Sequence, residues 1–105
     1  KSKVEAITNI LKNCIEHSYE NRKIYINYNQ NNMYTELKIE DNGTGIDAKD
    51  LPHIFERFYK GKNSSSDSVG IGLALSKSII ESNNGYIQVD SKLNKGTTFI
   101  IKYLK

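Results

Sequence analysis

An α+β sandwich is the fold class this sequence predicts: two layers, with a mostly antiparallel sheet covered by helices on one face. Three observations predict it. Residues 3–18 place apolar side chains at helical spacing. Two pairs of segments rich in Ile, Tyr and Thr each flank a short polar turn, as antiparallel hairpins do. A second helical segment lies between those pairs, and the order helix, strand, strand, loop, helix, strand, strand leaves both helices free to cover one side of one sheet.

At 105 residues the chain is one domain, with a single small core that must use most of its apolar residues. A hydrophobic content of 37%, with seven tyrosines and three phenylalanines, is enough for that core. The net charge of +3 is mild and the lysines are scattered, whereas a nucleic-acid surface needs a dense basic stripe. The lone cysteine, Cys14, excludes an intramolecular disulfide and fits a reducing compartment. No apolar run approaches membrane-spanning length and no signal peptide opens the sequence. Lys1-Ser2-Lys3 runs straight into a helical pattern without an initiator methionine, which reads as a piece of a longer chain.

In the first helix, at 100° per residue, Val4, Ile7, Leu11, Cys14 and Ile15 share one face, with Ile10 also apolar. Asn9, Asn13 and Glu16 fall opposite, with His17 beside them. Residues 23–29 and 33–41 form the first hairpin around Gln30-Asn31-Asn32. The chain is then punctuated by glycine in Asp41-Asn42-Gly43-Thr44-Gly45. Asp47 is placed to cap a short helix reaching toward Leu51, with Pro52 after it. Residues 61–68 hold no core-forming side chain, so the composition predicts a mobile loop. The second helix runs from Ile71 to about Asn83, with Ile71, Ala74, Leu75, Ser78 and Ile79 on one face and Gly85 as its C-terminal cap. Residues 86–90 and 97–103 close the order as strands around a turn at Asn94-Lys95-Gly96.

Three features carry chemistry, each beside a plainer reading. Alternation along the second strand points Leu37, Ile39 and Asp41 the same way, so an acid ends the core-facing row immediately before Gly-x-Gly. It is either a turn aspartate bonding its own backbone or an acceptor for a buried ligand donor such as the amino group of adenine. Gly70-Ile71-Gly72-Leu73 opens a helix, where backbone amides and the helix dipole favour an anion. It lacks the lysine and hydroxyl of a P-loop, and no βαβ unit supports a dinucleotide fingerprint. Asn9 and Asn13, one turn apart, are either a solvated helix face or two amide oxygens able to reach one Mg²⁺. His17 and His53 have no partners at zinc-ligand spacing.

Together these segments closely resemble the histidine-kinase branch of the GHKL, or Bergerat-fold, ATPase superfamily shared with gyrase and the Hsp90 chaperone. Asn9-Ile-Leu-Lys-Asn13-Cys-Ile-Glu-His17-Ser resembles the N box. Asp41-Asn-Gly-Thr-Gly45-Ile resembles the first glycine box, and Phe55-Glu-Arg-Phe-Tyr59 the F box. Gly70-Ile-Gly72-Leu-Ala-Leu-Ser resembles the second glycine box, and Gly96-Thr97-Thr98-Phe99 the last glycine motif. Any one is weak, but all in the right order, with the right elements between them, cover nearly the whole chain from Val4 to Leu104.

The resemblance implies a single ATP-binding catalytic domain over residues 1–105, with a lid at about 50–69 and ATP and Mg²⁺ as its ligands. Asn13 would bind Mg²⁺, with Asn9 near the metal or phosphates and His17 counted with them at the end of the N box. Asp41 would receive the adenine amino group, partly through water shared with Thr97, while Gly43, Gly45 and Ile46 turn under the base. Gly70, Ile71, Gly72 and Leu73 would meet the phosphates. Arg57, Lys60 and Lys62 would offset phosphate charge, Arg57 and Lys60 acting with Asn13 in transfer. The implied reaction moves the γ-phosphoryl of ATP onto a histidine of a separate dimerisation and phosphoacceptor domain, a response regulator being the later acceptor. Neither His17 nor His53 fits as that acceptor. The implied setting is the cytoplasmic part of a membrane-anchored bacterial sensor, with the fragment itself monomeric, free of nucleic acid and out of contact with the membrane.

Two departures stand against the pattern. Glu16 occupies a position where many sensor kinases have a phosphate-directed lysine, and Lys12 lies on another side of the helix. The strand pair that usually precedes the N-box helix is not in the sequence, which implies a smaller sheet. Two rival readings follow: a serine kinase or ATPase of the same superfamily, which would need a glutamate where Asn9 stands, and a non-catalytic docking module, which Glu16 favours.

Overall fold

The computed structural model describes residues 3–16, 23–56 and 72–105. Helix α1 is Lys3–Glu16, followed by strands β1 Ile24–Gln30 and β2 Tyr34–Asp41, a 3₁₀ turn at Leu51–His53, helix α2 Gly72–Ser82, and strands β3 Gly85–Lys92 and β4 Gly96–Leu104. The strands form one sheet in the order β1-β2-β4-β3, every neighbouring pair antiparallel. The predicted fold class is the observed one.

Register fixes what the sheet offers its helices. Residues directly opposite in an antiparallel pair lie on the same face, so the covered face reads as rows across the sheet. Leu37, Ile101 and Ile87 make one row, and Ile39, Phe99 and Val89 the next. The row after that is Asp41, Thr97 and Ser91, entirely polar. Ile39, Phe99 and Ile101 are fully buried against Ala6, Ile10 and Cys14 of α1 and Ile79 and Ile80 of α2. The opposite face carries Lys38, Glu40, Gln88 and Asp90, all exposed, as a one-sided sheet requires.

The helices differ from the expected faces in an instructive way. The buried stripe of α1 runs through Ala6, Ile10 and Cys14, while Val4 is 72% and Ile15 48% exposed. Two neighbours, the sheet and α2, share this helix, so the stripe is centred on Ile10 rather than on Leu11. Asn9 is therefore half-buried at its margin, not opposite it. In α2 the buried hydroxyl is Ser76, and Ser78 is exposed. Ser76 Oγ donates to the Ala6 carbonyl at 3.0 Å, and the two small residues let the helices approach closely. Ser76→Ala is expected to cost on the order of 1 kcal/mol in a urea titration; an unchanged midpoint would mean that the bond contributes nothing.

Local chemistry sets the element ends. Asn31 closes the first hairpin, its Oδ1 accepting from the amides of Met33 and Tyr34 at 2.8 and 3.0 Å. The left-handed residue after α2 is Asn84, at φ 62°, and Gly85 instead opens β3 with ordinary φ. Asn is the non-glycine residue that best tolerates this conformation. Pro52 lies inside the 3₁₀ turn rather than after it, where its missing N–H costs nothing. β1 is an edge strand that the helices do not reach: Ile26 and Tyr28 face the covered side yet are 57% and 62% exposed. Phe55 is half-buried beneath α2, with Lys77 Nζ 5.3 Å from its ring centre.

Candidate functional site

The polar row at the end of the sheet is the chemically unusual place among the described residues. Asp41 is 5% and Thr97 7% exposed, side by side on β2 and β4, where the two rows before them are apolar. A buried carboxyl must be solvated by the protein. One oxygen of Asp41 accepts from the Gly43 amide at 2.8 Å. Cys14, buried on α1, neighbours the same carboxylate: its thiol is pushed well above the ordinary thiol range, first by burial, then by the charge of Asp41 and a hydrogen bond to it. Cys14 is thus a protonated donor, not a nucleophile.

The loop leaving Asp41 is stitched to the β3–β4 hairpin. Ile46 N donates to Ser91 Oγ at 2.8 Å, and Asn94 N donates to the Thr44 carbonyl at 2.6 Å. Gly45, at φ 73°, lies so close to the Lys92 carbonyl that a Cβ there would land on it. Gly96, at φ 115°, stands in the same relation to the Asp41 carbonyl. Ser91 Oγ in turn bonds the Gly96 carbonyl at 2.8 Å and Thr97 Oγ1 at 2.9 Å. Asn42 Oδ1 accepts from Lys23 N at 2.8 Å and holds the start of β1 to the same corner.

The structure therefore brings Asp41, Gly43, Gly45, Ile46 and Thr97 into one corner, although Asp41 and Thr97 stand 56 positions apart in the sequence. Gly72 begins α2 and Leu73 packs against the core beside it. Asn9 lies half-buried on α1 one turn before Asn13, whose backbone is in the helix and whose side chain lies outside the described set. His17, Arg57, Lys60, Lys62, Gly70 and Ile71, with the lid from residue 57 onward, also lie outside the described residues. His53 is held on the surface by Glu56, Nδ1 to Oε2 at 2.7 Å. Two members of the corner were not singled out from sequence for it: Ser91, and Cys14, which reads from sequence only as core.

Residues 3–105 match the family model described as "Histidine kinase-, DNA gyrase B-, and HSP90-like ATPase". Among curated proteins, the chain is 35% identical over 101 residues to "Sensor histidine kinase YvrG" of Bacillus subtilis, covering 94% of this chain and 17% of that protein. It is 38% identical over 104 residues to "Sensor protein SrrB" of Staphylococcus aureus, covering 96% of this chain and 18% of that one. Among solved structures, "Mycobacterial sensor histidine kinase MprB" superposes with a TM-score of 0.85 at 27% identity, over 95% of this chain and 70% of that chain. The chain spans about a fifth of the length of the curated relatives it matches.

Proposed function

The chain belongs to the family of histidine kinase-, DNA gyrase B- and HSP90-like ATPases, and from that premise we propose that it is the ATP-binding catalytic domain of a two-component sensor histidine kinase. The observation that carries the reading is the buried Asp41–Thr97 pair at the end of an otherwise apolar sheet face. The Gly43 amide and the Cys14 thiol are its protein donors among the described residues, and a carboxylate has room for further donors. The exocyclic amino group of adenine is a donor of the right size, with an apolar ring to lay against the core.

Phosphoryl transfer asks a protein for positioning and charge neutralisation more than for covalent chemistry. In this reading the corner holds the base, and α1 and the start of α2 lie beside the phosphates. Asn13, with Asn9 next to it, would hold Mg²⁺, which when bound neutralises phosphate charge. Among the described residues no three His, Cys, Asp or Glu side chains gather as a metal cage. Two amide oxygens completed by phosphate and water match what Mg²⁺ accepts. Arg57, Lys60 and Lys62 would add positive charge. The γ-phosphoryl would pass to a histidine on a separate dimerisation and phosphoacceptor domain of the same protein, and then to a response regulator. No described helix is long and apolar enough to cross a membrane; a cytoplasmic place below a membrane anchor is part of the proposal.

Calorimetry of the chain with a non-hydrolysable ATP analogue, with and without Mg²⁺, tests the reading. Saturable binding is expected, and its absence in folded protein would favour a docking module. Asn13→Ala is expected to remove most of the Mg²⁺-dependent gain in affinity while leaving the unfolding midpoint nearly unchanged. A variant that keeps the whole Mg²⁺ effect returns Asn13 to a solvated helix face.

A further inference from the structure

We propose that Ser91 is a positioning residue that fixes the proton of the Thr97 hydroxyl, and that this makes the end of the base pocket a set of acceptors selective for a 6-amino purine. The inference rests on the adenine reading of the Asp41 corner and adds to it a residue and a cause of selectivity.

It follows from counting protons. Ser91 Oγ has three polar neighbours: the Ile46 amide at 2.8 Å, the Gly96 carbonyl at 2.8 Å and Thr97 Oγ1 at 2.9 Å. The amide can only donate, so Ser91 accepts from it. The carbonyl can only accept, and two oxygens 2.8 Å apart need a proton between them, which Ser91 alone can supply. The single hydroxyl proton of Ser91 is then spent. The remaining contact therefore runs the other way, with Thr97 donating to Ser91. Thr97 Oγ1 is left with lone pairs only.

The rest of the row agrees in sign. Thr97 sits opposite Asp41 on the covered face, both nearly fully buried. The Gly43 amide is already directed at Asp41 Oδ1, and the Cys14 thiol is likewise engaged with Asp41. A base reaching this corner meets acceptors from Asp41 and Thr97, directly or through a water they orient. Adenine offers an amino donor at position 6; hypoxanthine and guanine offer a carbonyl, which two acceptors repel. Ser91 touches no base in this scheme and acts through Thr97. Without it the Thr97 hydroxyl is free to turn and donate.

The test compares ATP with ITP by calorimetry of the chain in Mg²⁺. The wild-type chain is expected to prefer ATP, and Ser91→Ala to narrow that preference about tenfold, the worth of one hydrogen bond, with ITP affinity held or improved as ATP affinity falls. Ser91→Thr, which keeps the hydroxyl, should keep the wild-type ratio. In a Thr97→Val background, Ser91→Ala should leave the ratio unchanged. If Ser91→Ala does not fold, Ser91→Cys serves, since a thiol of similar shape is a weak hydrogen-bonding partner. Equal loss of both nucleotides would mark Ser91 as structural and overturn the inference, as would a wild-type chain that binds ATP and ITP alike. Failure of the folded wild-type chain to bind ATP would overturn the adenine reading as well, and is thereby told apart from a failure of Ser91 alone.

Discussion

Asp41→Asn is expected to weaken ATP binding by about 1.5–3 kcal/mol, roughly 10- to 150-fold, while the protein stays folded. The size is that of a hydrogen bond to a charged group, and the direction follows from the site. An asparagine of the same shape keeps an oxygen for the Gly43 amide, which holds Asp41 Oδ1 at 2.8 Å. The other branch becomes an NH₂ donor. In the proposed pocket that NH₂ would meet the adenine amino group, also a donor, where the carboxylate would accept, and the Cys14 thiol would lose the neighbouring carboxylate. Burial at 5% exposure leaves little water to relieve the mismatch. Calorimetry with an ATP analogue, alongside a urea titration as a fold control, reads the two effects separately. Unchanged affinity in a folded variant would make Asp41 a turn aspartate.

What sequence could and could not reveal about this corner divides along a physical line. Asp41 was legible because two local rules coincide on it: strand alternation points it inward with Leu37 and Ile39, and the following Gly-x-Gly marks the turn. The four strands and two helices were legible for the same reason, since each rests on a local period and a turn signal. The buried faces of the helices were not. Whether Ser76 or Ser78 is inside depends on where α2 meets α1, and the contact to the Ala6 carbonyl decides it. Ser91 was illegible for a related reason. Its role depends on the register that pairs it with Thr97, and a slip of one residue would turn it to the outer face. Cys14 was read correctly as core, but only the docking of α1 on the sheet sets it beside Asp41. On β1 the alternation of Ile24, Ile26 and Tyr28 looks like a core strand, yet only Ile24 is half-covered, because the helices stop short of that edge.

Gly96→Ala is expected to cost about 3 kcal/mol of stability or more, lowering the unfolding midpoint by at least roughly 10 °C. Two independent penalties combine there. The backbone has φ 115°, a region that L side chains rarely adopt. The added Cβ would also land on the Asp41 carbonyl and against the Asn42 backbone, neither of which is a flexible side-chain end that can swing away. Relief requires β4 to part from β2 at the Asp41–Thr97 pair, or the loop after β2 to shift. Either movement also disturbs the Gly96 carbonyl that takes the Ser91 proton. The variant should therefore lose nucleotide affinity as well, even at temperatures where it remains folded. Lys95→Ala, at an exposed neighbouring position of the same turn, is the control and should be near neutral. Thermal unfolding of the pair, with binding measured well below both midpoints, separates the effects. A Gly96→Ala protein as stable as the control would show that the hairpin and the Asp41 loop are not held as closely as the structure has them.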